Sequence, residues 1–205
     1  MTVRAIPAAR RVATKLAALL ADRRGVAALE FALIAPLLLT MYFVTMEVGQ
    51  GIETNKKVGR SASMVADLVT QQQTTTKSDL DAILKIGNAI LQPYNRSKPT
   101  IIITAIEITD ETTPKVKVAW SRKMMNGAFS ADKTPGTIIS IPEKLKIKGS
   151  YLVHVTAQLD YRPVIAWAAD DKSTLGLTAA FDQLDMGEGY YLRPRMSSTI
   201  TCSDC

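Results

Sequence analysis

The chain has 205 residues, 47% hydrophobic and 21% charged, the composition of one folded domain with an appendage, and this excludes a disordered polymer. Its formal net charge of +6 is concentrated: residues 1–25 hold Arg4, Arg10, Arg11, Lys15, Arg23 and Arg24 against Asp22, which leaves the other 180 residues near +1. That remainder is too weakly basic for an electrostatic footprint on nucleic acid, so no nucleic-acid partner is expected.

After the basic leader, Val26 to Met46 reads VAALEFALIAPLLLTMYFVTM, 21 residues whose only charge is Glu30. This is close to the length that crosses a hydrocarbon core of ~30 Å. Ten of these residues are Leu, Ile, Phe or Val, each contributing roughly −0.3 to −0.6 kcal/mol to insertion, and together they outweigh one carboxylate costing at most about +3 near the edge. The segment is expected to insert in a lipid bilayer. Six basic residues precede it, whereas its far side opens with Glu47 and Glu53 before Lys56, Lys57 and Arg60. The positive-inside rule then puts the N-terminus in the cytoplasm and residues 47–205 outside. A cleaved secretory signal fits less well, because its apolar region runs about 7 to 15 residues and ends in a small-x-small site. A buried core helix would need a shell over all its faces, which one modest domain does not supply.

The junction carries a more specific pattern. RRGVAALEF places two arginines, Gly25 and four small or apolar residues before Glu30 and Phe31 at the mouth of the apolar helix. An acidic residue inside such a segment is costly and calls for a partner. If the chain is cut after Gly25, the new ammonium of Val26 lies one helical turn from Glu30, and a carboxylate of a neighbouring subunit can pair with it. Read singly, Gly25 is a linker glycine and Glu30 a side chain snorkelling to the headgroups. Jointly, with the basic leader and EFAL, they favour processing.

This arrangement resembles the type IV prepilin class, with glycine ending a short basic leader and glutamate as the fifth residue of the mature chain. The longer stretch RRGVAALEFALIAPLLLTMYFVTMEVG resembles the TadE-like minor pseudopilins of the tight-adherence (Flp) pilus system, through Gly25, Glu30, Phe31, Ala32, Leu33, Pro36 and Glu47. The likeness covers residues 23–49 and extends loosely through RSASMVADLV; the related TadG proteins share a similar anchor. It implies cleavage between Gly25 and Val26 by an aspartic membrane prepilin peptidase, and subunit registration by Glu30 with Phe31. It also implies Pro36 and Glu47 as features of the membrane helix. The implied partners are that peptidase, other pilins and pilus-assembly proteins. The implied location is the bacterial inner membrane, single-pass, with a periplasmic C-terminal domain and a route into a surface pilus.

Past Glu47 the helical pattern continues: Val48, Ile52, Val58, Ala62, Val65, Leu68 and Val69 recur at mostly three-to-four spacing. A helix from Val26 to Gln72 would have 47 residues and span ~70 Å, giving the lollipop shape expected of pilins. QQQTTTK at residues 71–77 reads as a polar break. Ser78 and Asp81 resemble a cap for a second helix with Leu80, Ile83, Leu84, Ala89, Ile90 and Leu91 on its apolar face, ended by Pro93.

The period then changes to two over Ile101–Thr109, Lys115–Ser121 and Ser150–Asp160, with DETTP as a hairpin connection, and weaker strands fall at Thr137–Ile141 and near Tyr190–Thr201. Helices first and strands afterwards argue an α+β fold, an antiparallel sheet covered on one face by helices. The expected organisation is a leader at 1–25, a transmembrane helix at 26–47, its extracytoplasmic extension at 48–72, and an exterior domain at 73–205.

Catalytic chemistry has little support. His154 lies between two valines of a strand with no spacing motif around it, and no phosphate-binding glycine loop, HExxH or GxSxG occurs. Asp170 and Asp171 read as a solvated turn rather than a hard-cation site, which needs about six oxygens. Trp120 and Trp167 read as core or interface anchors. Cys202 and Cys205 form CSDC at the end of the sequence. Outside the membrane they favour a disulfide, local or to a partner; a redox site lacks its helix start, and zinc lacks two ligands. No cofactor, metal or enzymatic activity is expected. The expected function is that of a minor pseudopilin in pilus assembly or initiation; the alternatives are an uncleaved envelope protein with an extracytoplasmic binding domain and, below it, an oxidoreductase using the two cysteines.

Overall fold

The computed structural model describes residues 25–164 and 184–205, together with Lys15 and Ala18. The rest of the basic leader, Trp167, Asp170 and Asp171 lie outside the described residues. Helix α1 covers Val26–Thr70, two residues short of the expected Gln72. Its last turn tightens where Gln72 N–H donates to the Val69 carbonyl at 3.1 Å and Thr70 Oγ1 to the Asp67 carbonyl at 2.9 Å. Pro36 sits inside α1, and Thr40 Oγ1 donates to the Pro36 carbonyl at 2.8 Å.

Two compact units divide the chain, residues 1–46 and residues 47–205. In the first, Leu29, Phe31, Leu33, Leu37, Leu38 and Met41 of α1 are all exposed. In the second, α1 buries Val58, Ala62, Val65, Ala66 and Val69 completely. Val48 and Ile52, expected on the same stripe, are exposed, so the buried apolar stripe begins further along, at Val58, with the polar Glu47 and Thr54 buried before it.

β1 is Thr74–Thr75, inside the expected polar break. Helix α2 covers Lys77–Ile90 and is capped by Thr76, not Ser78. Asp79 N–H donates to Thr76 Oγ1 at 3.2 Å and Thr76 N–H to Asp79 Oδ2 at 3.1 Å, so two amides without helical acceptors are satisfied reciprocally. Asp81 has a different task, a two-pronged ion pair with Arg122 at 2.7 and 2.8 Å. Leu80, Ile83 and Leu84 face the core as expected, but Ala89 is exposed and Gly87 takes the buried place beside α1.

The main sheet contains β2 (Thr100–Ile108), β3 (Val116–Met125), β4 (Ala128–Ser130), β5 (Tyr151–Tyr161) and β6 (Leu184–Leu192), in the order β4-β3-β2-β5-β6 and antiparallel throughout. The three stronger expected strands are found with shifted ends as β2, β3 and β5, and residues 109–115 connect β2 to β3. Thr137–Ile141 is reduced to a single bridge from Ile138 to Lys117. The segment near Tyr190–Thr201 resolves into the end of β6 and a separate β7, Thr201–Cys202, which pairs in parallel with β1. The fold is α+β.

The larger core lies between the helices and one face of the sheet, joining Val65 and Leu84 to Ile101, Ile103, Val153 and Val155. The other face carries a smaller cluster of Ile106, Ile108, Val116, Ile141 and Leu152. Ser121 holds the segment over it, accepting from Lys133 N–H at 2.6 Å and from Asp132 N–H at 3.1 Å.

Candidate functional site

At the start of α1, Gly25 lies in a turn and its carbonyl accepts the Leu29 N–H at 3.1 Å, so the Gly25–Val26 peptide is the threshold of the helix. Among the described residues, nothing comes within 4 Å of the place where a Cβ on Gly25 would sit. Glu30 is exposed and Phe31 is 72% exposed, one helical turn beyond Val26. Helix α1 is long and apolar enough to cross a membrane, and none of its most apolar window is buried.

Glu47 is placed quite differently from Glu30. It is only 3% exposed and belongs to the second unit. Tyr161, the last residue of β5, donates its hydroxyl to Glu47 Oε1 at 2.6 Å, and Val164 N–H donates to Oε2 at 2.9 Å. Burial and the adjoining carboxylate both push the Tyr161 hydroxyl above its ordinary pKa.

Around this pair, Tyr94 stacks on Tyr161 with ring centroids 5.6 Å apart, and the Arg96 guanidinium lies 4.8 Å from the Tyr94 ring and 5.6 Å from the Tyr161 ring. Arg96 Nε also donates to the Arg162 carbonyl at 2.6 Å. Tyr94 accepts the Arg162 N–H at 2.8 Å, and Ser97 Oγ donates to the Asp160 carbonyl. The result is a polar clasp joining α1 at Glu47 to the end of β5 and the connection between α2 and β2.

Beside the clasp runs an open groove of about 410 Å³, lined by Val48, Ile52, Tyr161, Leu184 and Met186 among others. A second, polar cleft of about 620 Å³ lies over Asp160 and Asp185, which face each other across β5 and β6. Asp160 holds the Asp185 carboxyl above the usual carboxylate range through a hydrogen bond and its charge.

His154 stacks on Tyr191 at 3.9 Å, and burial with the Lys133 charge pushes its pKa down. It is a strand residue packed on a neighbour, and no nucleophile or carboxylate is hydrogen-bonded to it among the described residues. Trp120 is a core anchor whose Nε1–H donates to the Ile200 carbonyl at 2.7 Å. Cys202 and Cys205 are bonded to each other with Cα atoms 5.5 Å apart. Their sulfurs and an Asp204 oxygen lie within 4.8 Å, but bonded sulfurs are not the thiolates that zinc requires.

Sequence reasoning placed Glu47 at the far end of the span but found neither Tyr161, Tyr94 nor Arg96. The only local signal for Tyr161 is the apolar-polar alternation ending in QLDYRP, and Tyr94 and Arg96 sit in the connecting QPYNRS, which has no such pattern.

Comparison with known proteins gives one finding. Residues 25–67 match the family described as TadE-like protein, the family that the junction motif resembles. No curated protein and no solved structure matches the chain.

Proposed function

With a TadE-like segment at residues 25–67 as the premise, we propose that this chain is a membrane-anchored, non-catalytic minor pseudopilin of a tight-adherence pilus system, acting in pilus assembly or initiation. In this reading the N-terminus is cytoplasmic, the domain from residue 73 is periplasmic, and α1 crosses the inner membrane between about residues 26 and 47. A prepilin peptidase cleaves between Gly25 and Val26, and Glu30, with Phe31 beside it, registers the chain against neighbouring subunits. Cell adhesion and secretion are then properties of the assembled system rather than of this chain.

The observation that carries the reading is the coincidence of the family match with a helix whose apolar side chains are bare from Val26 to Phe43. Such a surface needs lipid or other apolar helices around it. The absence of a described atom within 4 Å of a Cβ on Gly25 supports access to the Gly25–Val26 peptide. N-terminal sequencing of chain extracted from membranes of cells with an active prepilin peptidase tests the proposal. A start at Val26 supports it. A retained leader overturns processing and leaves the uncleaved envelope protein with a binding domain as the reading.

A further inference from the structure

Residues 195–205 bracket the connection between the two helices. On the α1 side, Arg195 N–H donates to the Thr70 carbonyl at 2.9 Å and its guanidinium pairs with Asp67 at 2.5 Å. Ile200 is 1% exposed, and its carbonyl accepts from both Trp120 Nε1 and the Tyr151 hydroxyl, each at 2.7 Å. On the α2 side, β7 pairs Thr201 with Thr74 and Cys202 with Thr75. Ser203 N–H donates to the Thr75 carbonyl at 3.1 Å, and Lys77 N–H donates to Asp204 Oδ1 at 2.8 Å.

Lys77 opens α2, so its amide has no acceptor within the helix, and a carboxylate there also meets the positive end of the helix dipole. The Cys202–Cys205 bond closes a small ring around Ser203 and Asp204, the two residues that make these contacts. Cys205 is exposed and Cys202 half-buried, so the bond is open to attack from solvent.

We propose that the Cys202–Cys205 disulfide is a thiol-exchange site whose opening releases Ser203 and Asp204 from β1 and from the start of α2. A thiolate of an external dithiol attacks Cys205 Sγ, the Cys202–Cys205 bond breaks, and Cys202 leaves as a thiolate that takes up a proton. The second thiol of the reductant then attacks the mixed disulfide. Cys205 is set free as a thiol, and the reductant ends as a disulfide; two electrons and two protons have passed to the chain.

Opening the ring returns conformational freedom to residues 203–205, which the cross-link had removed. Release stops at Ile200, whose buried side chain and two hydrogen-bond donors do not depend on the ring. The redox state of the compartment thereby sets the rigidity of the turn joining α1 to α2, through a dithiol partner.

Hydrogen exchange on the full chain in detergent micelles, with and without dithiothreitol, tests this. Reduction is expected to lower protection of the Lys77 and Ser203 amides by roughly tenfold, with β2 and β5 protection and Trp120 emission unchanged. Cys205→Ser should show the same local loss without reductant. Asp204→Ala should deprotect Lys77 alone with the disulfide intact. Equal protection in the oxidised and reduced chains overturns the proposal. So does alkylation of both cysteines before any reductant is added, or a loss that spreads to β2 and β5, since the bond would then hold the fold rather than gate a turn.

Discussion

Gly25 and Tyr161 show how much a single side chain's surroundings decide what its replacement tests. Among the described residues a Cβ on Gly25 meets nothing within 4 Å, and Gly25→Val leaves the apolar span unchanged. Under the proposed processing, the variant should reach the membrane at wild-type level yet keep its leader, read as a larger band on immunoblots of the membrane fraction. A mature-sized band would remove Gly25 from the cleavage site. Tyr161→Phe acts inside the fold, removing the 2.6 Å hydrogen bond to Glu47 Oε1, a loss of about 1 kcal/mol. The tyrosine's pKa is raised in the folded chain, chiefly by burial and then by Glu47. Its contribution is therefore complete below the unfolded value of about 10 and is lost as the pH climbs above it. The stability gap between wild type and Tyr161→Phe should hold constant up to about pH 10 and narrow above it, measured as denaturant midpoints in detergent. A constant gap would mean that the hydroxyl does not titrate against Glu47. The sequence marked Glu47 as an acid out of place but could not supply its partner, because the donor lies 114 positions away and nothing local encodes that meeting.

At the level of elements, local patterns were legible where one element answers to one rule. α2 shows both success and limit: Leu80, Ile83 and Leu84 were readable from their spacing, whereas the cap was assigned two residues late. Thr76 and Asp79 form the reciprocal bonds, and QQQTTTK conceals both the cap and β1 because its polar composition reads as loop. β3 defeats strict alternation for a physical reason. Ala105 pairs with Trp120 but Ile106 pairs with Val118, so Ala119 is an extra residue in the ladder. Val116 therefore joins the second cluster, while Trp120 and Met124 turn to the helices, although all three share the same parity in the sequence. The meeting of α1 with α2 was equally hidden, since Gly87 looks like a helix defect until its neighbours are seen. Ser61 Oγ donates to the Gly87 carbonyl at 2.8 Å, and a Cβ on Gly87 would lie 2.6 Å from Val65 Cγ2 and 3.1 Å from Ile101 Cδ1. Gly87→Ala would gain up to about 1 kcal/mol in helix propensity, against an overpacking cost of typically 1–3 kcal/mol. We expect a lower melting temperature for the full chain in micelles; a higher one would show that the two helices can separate without cost.

For the molecule as a whole, the long apolar helix and the α+β domain were legible to different depths because they obey different physics. Insertion depends on the summed transfer of consecutive residues, so it can be read from composition before any contact is known, and the exposed side chains from Val26 to Phe43 are what that reading requires. The domain depends on which distant strands pair, and there sequence reasoning reached the class but missed the β1–β7 ladder and the second core cluster. The insertion arithmetic yields a sharp test. The ten Leu, Ile, Phe and Val residues of the segment supply about −3 to −6 kcal/mol at −0.3 to −0.6 each, offset in part by Glu30. Leu37 and Leu39 are exposed on α1 and central to the apolar run. Replacing both with Arg adds about +5 to +7 kcal/mol and also removes two favourable leucines, which reverses the sign of the total. The double variant should be extracted by alkaline carbonate, whereas wild type and Glu30→Ala should stay with the membrane pellet, Glu30→Ala at least as completely because it loses the one unfavourable charge in the span. Retention of the double-arginine chain in the pellet would show that contacts other than lipid insertion hold this protein at the membrane.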